Sequence, residues 1–233
     1  MIRGGFWEGY RGGYCIYFIS KKRVNLGRIL EGVTMPKKDD IIDGLQSIVY
    51  DYSTFAIIWH VIFYLLLAGL MANWDPSNKL LGILICLPLV SVAVFAWLNG
   101  NPFNGSLFTL MTILICIFSV RGSNEPVVVS QLPFMIIGIL MIVFGLVYPH
   151  FIQANSFFKY LYASPVGLVP CPTLSILIGI LLLFNGLGSQ PLTLTFIAFG
   201  LFYGLFGALK LSVYLDIFLV FGSVSLLVKF FLR

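Results

Sequence analysis

Ala163-Ser-Pro-Val-Gly-Leu-Val-Pro-Cys-Pro-Thr173 runs without a charge into Leu174-Ser-Ile-Leu-Ile-Gly-Ile-Leu-Leu-Leu-Phe184. The second half reads as apolar helix, whereas three prolines and a glycine interrupt the first. From Thr173 to Phe184 there are twelve residues, about 18 Å of helix at about 1.5 Å per residue. A hydrocarbon core is about 30 Å thick, so this helix does not cross it alone. One reading carries Val166 to Pro170 into the membrane as irregular backbone or makes the segment re-entrant. The other has the prolines end a surface loop, with the helix starting near the interface in a thinned or tilted region. Pro172 suits a first helical turn, where its missing N–H costs nothing. At depth, the N–H groups around Thr173 to Ser175 would form a positive helix end beside the Thr173 hydroxyl and the Cys171 thiol. Broken helices of this kind hold substrate in many transporters, which makes Pro170, Cys171, Pro172, Thr173 and Ser175 candidate binding residues.

The rest of the chain explains why a break matters. Hydrophobic residues make up 59% of it, charged residues only 10%, and its mean hydropathy is +1.00. Soluble domains carry about a quarter charged residues, so the expected class is an all-α integral membrane helical bundle. With about 20 residues per span, 233 residues leave room for six to seven transmembrane helices in one domain, residues 53–233. The net charge of +5 does not point to nucleic acid. Eight of the fourteen basic residues precede Asp39 and read as a topology signal. The environment expected for the chain is a lipid bilayer.

Residues 1–34 are rich in glycine, aromatics and basic residues. Their longest apolar run, Cys15 to Ile19, is shorter than the 7 to 15 residues or so of a secretory signal core. They read as poorly structured or mis-included, with Met1 and Met35 both eligible as the start. In residues 35–52, Asp39 and Asp40 precede Ile41, Ile42, Leu45, Ile48 and Val49, the spacing of an amphipathic interfacial helix. Spans are then expected from about Thr54 to Met71, from Leu80 to Leu98, from beyond the turn Asn99-Gly-Asn-Pro102 to Val120, from Val127 to Val147, from the broken segment to Phe184, from Leu192 to Leu209 and from Asp216 to Phe231. With seven spans and a cytoplasmic N-terminus, ten basic residues face the cytoplasm against four on the other side, which favours that orientation in a plasma membrane. Starting at Met35 makes the count four against four.

Tyr148-Pro149, then Ala163-Ser-Pro165, Gly167, Pro170-Cys-Pro-Thr173, Gly179 and Leu181-Leu-Leu183 together resemble an uncharacterised family of bacterial multi-pass membrane proteins, a domain of unknown function (family 6064). The likeness extends to Gly204 and to Leu211-x-Val-x-x-x-Asp216, and more faintly to Trp59 and Asn101-Pro102. It covers about Tyr52 to the C-terminus, and His60 stands where the family pattern has proline. The resemblance implies a helical membrane architecture and no particular activity.

The remaining polar residues are few. His60 lies inside the first span, where an ionisable group is a functional candidate, though a neutral imidazole also bonds well to a neighbouring helix. Asp216 either stabilises a helix N-terminus or faces a vestibule. Gly200, Gly204 and Ala208 share one helical face that lets a second helix approach, within the chain or in a partner. The four cysteines form no C-x-x-C pair and none has a nearby histidine, so no metal site is expected. With no phosphate loop, H-E-x-x-H or G-x-S-x-G, the chain is not expected to be an enzyme, has no catalytic residues to assign and calls for no cofactor. Two functions stay open. One is a small permease or channel-like protein built at the broken segment. The other is a non-catalytic scaffold or accessory subunit that packs against a membrane-protein partner or its own copy.

Overall fold

Helix caps and prolines set the boundaries of a series of antiparallel helices. The computed structural model describes residues 38–151 and 157–232; the expected N-terminal segment 1–34, with Cys15, and Met35 lie outside the described residues. Among the described residues, nine α-helices follow in order: α1 (Lys38–Asp51), α2 (Ser53–Met71), α3 (Asn78–Leu98), α4 (Pro102–Val120), α5 (Leu132–Leu146), α6 (Tyr160–Ala163), α7 (Pro170–Leu183), α8 (Gln190–Leu205) and α9 (Ile217–Phe231). Ser77 caps α3 by accepting from the Leu80 N–H at 3.1 Å, and Asn101 caps α4 by accepting from the Asn104 N–H at 3.1 Å, with Pro102 at the first helical position.

Among the described residues, five apolar stretches are long enough to cross a membrane: Ser53–Met71, Asn78–Leu98, Pro102–Val120, Gln190–Lys210 and Tyr214–Phe231. The expectation of six to seven full spans is corrected at two places. Helix α5 has 15 residues and α7 has 14, about 22 and 21 Å of helix. The expected start of the fourth span at Val127 fails because residues 127–130 are not helical. Their N–H groups go elsewhere, Val127 to the Pro76 carbonyl at 3.0 Å and Ser130 to the Leu183 carbonyl at 2.8 Å. Helix α7 begins three residues earlier than the sequence suggests, at Pro170, and ends at Leu183.

The large side chains turned outward, such as Leu65, Leu110, Ile113, Ile139 and Phe221, are aliphatic or aromatic and exposed. A bundle apolar inside and outside is built for lipid. At its centre, every residue of α7 from Pro172 to Leu182 is buried, which is why this helix has no polar face.

Three antiparallel seams hold the bundle. A Cβ on Gly82 of α3 would lie 2.7 Å from the Ser119 hydroxyl of α4, and one on Gly105 of α4 would lie 2.7 Å from the Trp97 ring of α3. Between α5 and α7, Gly138 faces Gly179 and Gly145 faces Pro172, one heptad apart on each helix, and hypothetical Cβ atoms there fall 2.6 to 2.7 Å from backbone carbonyls. Between α8 and α9, Gly200 faces Ser223 and Gly204 faces Val220. Helix α1 lays Leu45, Ile48 and Val49 onto a cluster that includes Phe95, Tyr148, Phe151, Leu168 and Val169. Its apolar face therefore covers the end of the bundle where α2 begins.

Candidate functional site

The break before α7 is closed by its own hydrogen bonds. Val166 N–H donates to the Ser164 carbonyl at 2.7 Å, Gly167 N–H to the Thr173 hydroxyl at 2.9 Å, and Leu168 and Val169 N–H to the Pro165 carbonyl at 3.3 and 3.2 Å. The Thr173 hydroxyl in turn donates to the Val169 carbonyl at 2.8 Å. Gly167 has φ +72°, and a Cβ there would lie 2.2 Å from the Trp59 ring. Both the left-handed backbone and the indole pressed against it require glycine. Trp59 is held in place by donating from Nε1 to the Ser91 hydroxyl at 2.9 Å. The unpaired backbone that lipid would forbid is thus absorbed locally.

The expected cluster of free N–H groups is corrected by this arrangement. Pro170 and Pro172 occupy two of the first three helical positions and have no N–H, so they remove donors that a helix end normally presents. Thr173 and Ser175 are fully buried. Thr173 serves the loop, and the Ser175 hydroxyl donates to the Met141 carbonyl of α5 at 2.9 Å. Pro170 and Pro172 are buried too. Of the five candidate binding residues, Cys171 alone turns toward an ionisable group.

That group is Asp216. It sits in the short turn before α9, 1% exposed. Its Oδ1 accepts from the Tyr148 hydroxyl at 2.7 Å, and its Oδ2 accepts from the Cys171 thiol at 3.2 Å. The chain reaches this point because α8 ends in a π turn, Phe206–Lys210, after which the Val213 N–H returns to the Gly207 carbonyl at 2.9 Å. A Cβ on Gly207 would lie 1.8 Å from Asp216 Oδ2, so the carboxyl group occupies the space a side chain would need. Asp216 therefore does more than cap a helix: both oxygens are engaged from other segments, and no Lys, Arg or His among the described residues pairs with it.

Tyr148 is fully buried and follows the C-terminus of α5. The Ser164 hydroxyl lies 3.2 and 3.3 Å from the Gly145 and Tyr148 carbonyls, tying the broken segment to the same helix end. The His150 ring meets the Tyr148 ring edge-on at 6.4 Å and the Phe151 ring at 4.2 Å. Burial pulls the His150 imidazole below its ordinary value of 6.5.

His60 is apart from this cluster. It is buried, with Nδ1 2.8 Å from the Ala56 carbonyl and Nε2 3.0 Å from the Leu146 carbonyl. A neutral imidazole donates to only one of these acceptors. The second contact joins α2 to the C-terminus of α5, so the residue pins a neighbouring helix.

Gly200 and Gly204 receive α9, while Ala208 is buried in the π turn. The position that must be glycine beyond Gly204 is Gly207. Cys86, Cys116 and Cys171 are free thiols, and no group of three metal-ligating side chains occurs among the described residues. At the opposite end of the bundle, a cleft of about 720 Å³ is lined by Arg121, Ser123, Gly188 and Gln190 among others; none of its lining residues belongs to the Asp216 cluster. Lys229 at that end is buried, hydrogen-bonds the Ser130 hydroxyl, donates to the Leu182 carbonyl at 2.9 Å and lies 5.6 Å above the Phe134 ring.

Tyr148 is the functional candidate that sequence reading passes over. It stood in plain view as part of Tyr148-Pro149, but no local pattern announces a partner 68 residues away. No family model matches this chain, and no curated protein or solved structure matches it.

Proposed function

We propose that this multi-pass membrane protein is a small permease, without catalytic activity, whose transport site is Asp216 with Tyr148 and Cys171 at the broken start of α7. The observation that carries the reading is a carboxyl group 1% exposed inside an apolar bundle, bonded from two other segments. Keeping an ionisable group there is costly, and such groups mark ion and substrate paths. The site also joins four segments that a rocking motion would separate: the end of α5, the start of α7, the tail of α8 and the start of α9. Counted from Met1, the basic residues favour this end and the N-terminus on the cytoplasmic side, and the family resemblance makes the membrane a bacterial plasma membrane. Membership of family 6064 belongs to the same proposal and adds architecture only.

The test needs no known solute. In a variant whose other cysteines are serine, Cys171 in proteoliposomes should react with a small hydrophilic methanethiosulfonate added to either side, as alternating access requires. A thiol inert from both sides refutes the permease. The scaffold alternative would then regain ground. It has lost the face first considered for docking, since Gly200 and Gly204 are filled by Ser223 and Val220 of the same chain.

A further inference from the structure

We propose that the ion this site handles is a proton, carried on the Asp216 carboxyl group, and not a sodium or potassium ion. The inference rests on the permease reading above and names the ion of that same site. Its basis is the chemistry of the groups around the carboxyl. Both oxygens already accept hydrogens, one from a phenol at 2.7 Å and one from a thiol at 3.2 Å. Hard cations are bound by several oxygen atoms together, and sulfur is a poor ligand for them. Here a cation would meet two hydrogens pointing at the oxygens it must reach. The third side is shut as well, because Oδ2 lies where a Cβ on Gly207 would be.

The groups facing Asp216 supply no compensating charge. From the end of α5 comes Tyr148, from α7 Cys171, and from α8 and its tail Gly204 and Gly207. Lys210 in that tail is exposed and forms no ion pair with it. Helix α1 lays apolar side chains onto the Tyr148 side, Leu45, Ile48 and Val49 with Ile41 and Ile42 beside them, and His150 reaches the cluster through the Tyr148 ring. Along α9 the next ionisable residue is Lys229, at the far end of the helix. A buried carboxylate without a cation is neutralised most simply by taking up a proton. Oδ2 can bind that proton only if the thiol hydrogen turns aside, and the proton leaves again when the segments part and water enters. The step breaks and forms O–H bonds alone and needs no co-reactant.

The experiment is infrared difference spectroscopy on proteoliposomes of the full chain while the bulk pH is lowered. The expected result is a carboxylic-acid C=O band that is absent from Asp216→Asn and indifferent to replacing sodium and potassium chlorides by choline chloride. If Asp216→Asn does not fold, Tyr148→Phe keeps the acid but removes the donor to Oδ1, the carbonyl oxygen of the protonated acid. It should move the band to higher frequency, since a carbonyl freed of a hydrogen bond is stiffer, and a merely structural role would leave it in place. No band assignable to Asp216 in the folded protein, or a band abolished by sodium or potassium, overturns the proposal. If Cys171 is reached from both sides while the band is missing, the proton assignment fails and the permease stands. If the band is present and Cys171 is inert, the acid takes up protons in a protein that does not transport.

Discussion

Replacing Gly179 by alanine puts a methyl group 2.6 Å from the Gly138 carbonyl oxygen, 2.7 Å from Ile142 Cγ1 and 3.0 Å from the Ile142 N–H nitrogen. Two of these three are backbone atoms of α5, so no rotamer change relieves the contact. Ordinary carbon–oxygen contact needs roughly 3.4 Å or more, so the helices must part by several tenths of an ångström. That separation is felt along the whole seam, because Gly145 and Pro172 meet one heptad away and interiors this closely packed do not flow around an inserted group. Overpacking of this kind costs about 1–3 kcal/mol, and for a chain of this size each kcal/mol lowers the melting midpoint by about 2–4 °C. A fall of about 2–12 °C is therefore expected for Gly179→Ala. It is measured by following the monodisperse peak on size-exclusion chromatography after heating in mild detergent. Gly44→Ala is the control. Nothing lies within 4 Å of a Cβ there, and alanine is favoured over glycine in a helix by about 0.5–1 kcal/mol, so this change should not lower the midpoint. If Gly179→Ala melts no earlier than the parent, the seam is not close-packed as described and the account of α5 and α7 is wrong.

Gly207→Ala should expel the Asp216 carboxyl from its place, 1.8 Å from the new methyl. It should therefore lower stability and raise the rate at which Cys171 reacts with the thiol reagent, which labelling kinetics would show; unchanged labelling would mean that the thiol does not depend on Asp216. Lys229→Met keeps the aliphatic stem but takes the ammonium from the Leu182 carbonyl, while the Ser130 hydroxyl keeps the Asn185 N–H as a donor at 2.9 Å. A loss of about 1–3 kcal/mol is expected for buried polar groups left unsatisfied, read as an earlier melt in the same assay, and no loss would indicate that water replaces the ammonium. For His150, burial makes the folded-state value lower than the unfolded one, so the unfolded chain binds the extra proton first. Stability is then fully present above the unfolded value of 6.5 and falls as the pH drops through and below it. His150→Gln should flatten that part of the pH–melting curve, and an unchanged slope would show that other groups set it.

Much of the architecture follows from the sequence alone. Composition places the chain in a bilayer because residues this apolar have no favourable alternative in water, and caps such as Ser77 and Asn101 mark helix starts through atoms only three residues away. The break at Ala163 to Thr173 is equally local, since proline and glycine act on their own backbone. What the sequence leaves open is where the freed polar groups go. The N–H groups of Val166 to Val169 find partners within the loop and at Thr173, and the prolines delete donors that would otherwise call for a ligand. Asp216 reads as either a helix-start residue or one facing a vestibule until folding brings Tyr148 and Cys171, 68 and 45 residues away, onto its two oxygens. Lys229 reads as a residue at the membrane edge, yet the shortness of α7 draws it inside to meet the Leu182 carbonyl. Periodicity and propensity act over one or two turns, so they specify helices and breaks. The meeting of a carboxyl with a phenol and a thiol is a property of helix packing, and only the tertiary structure decides it.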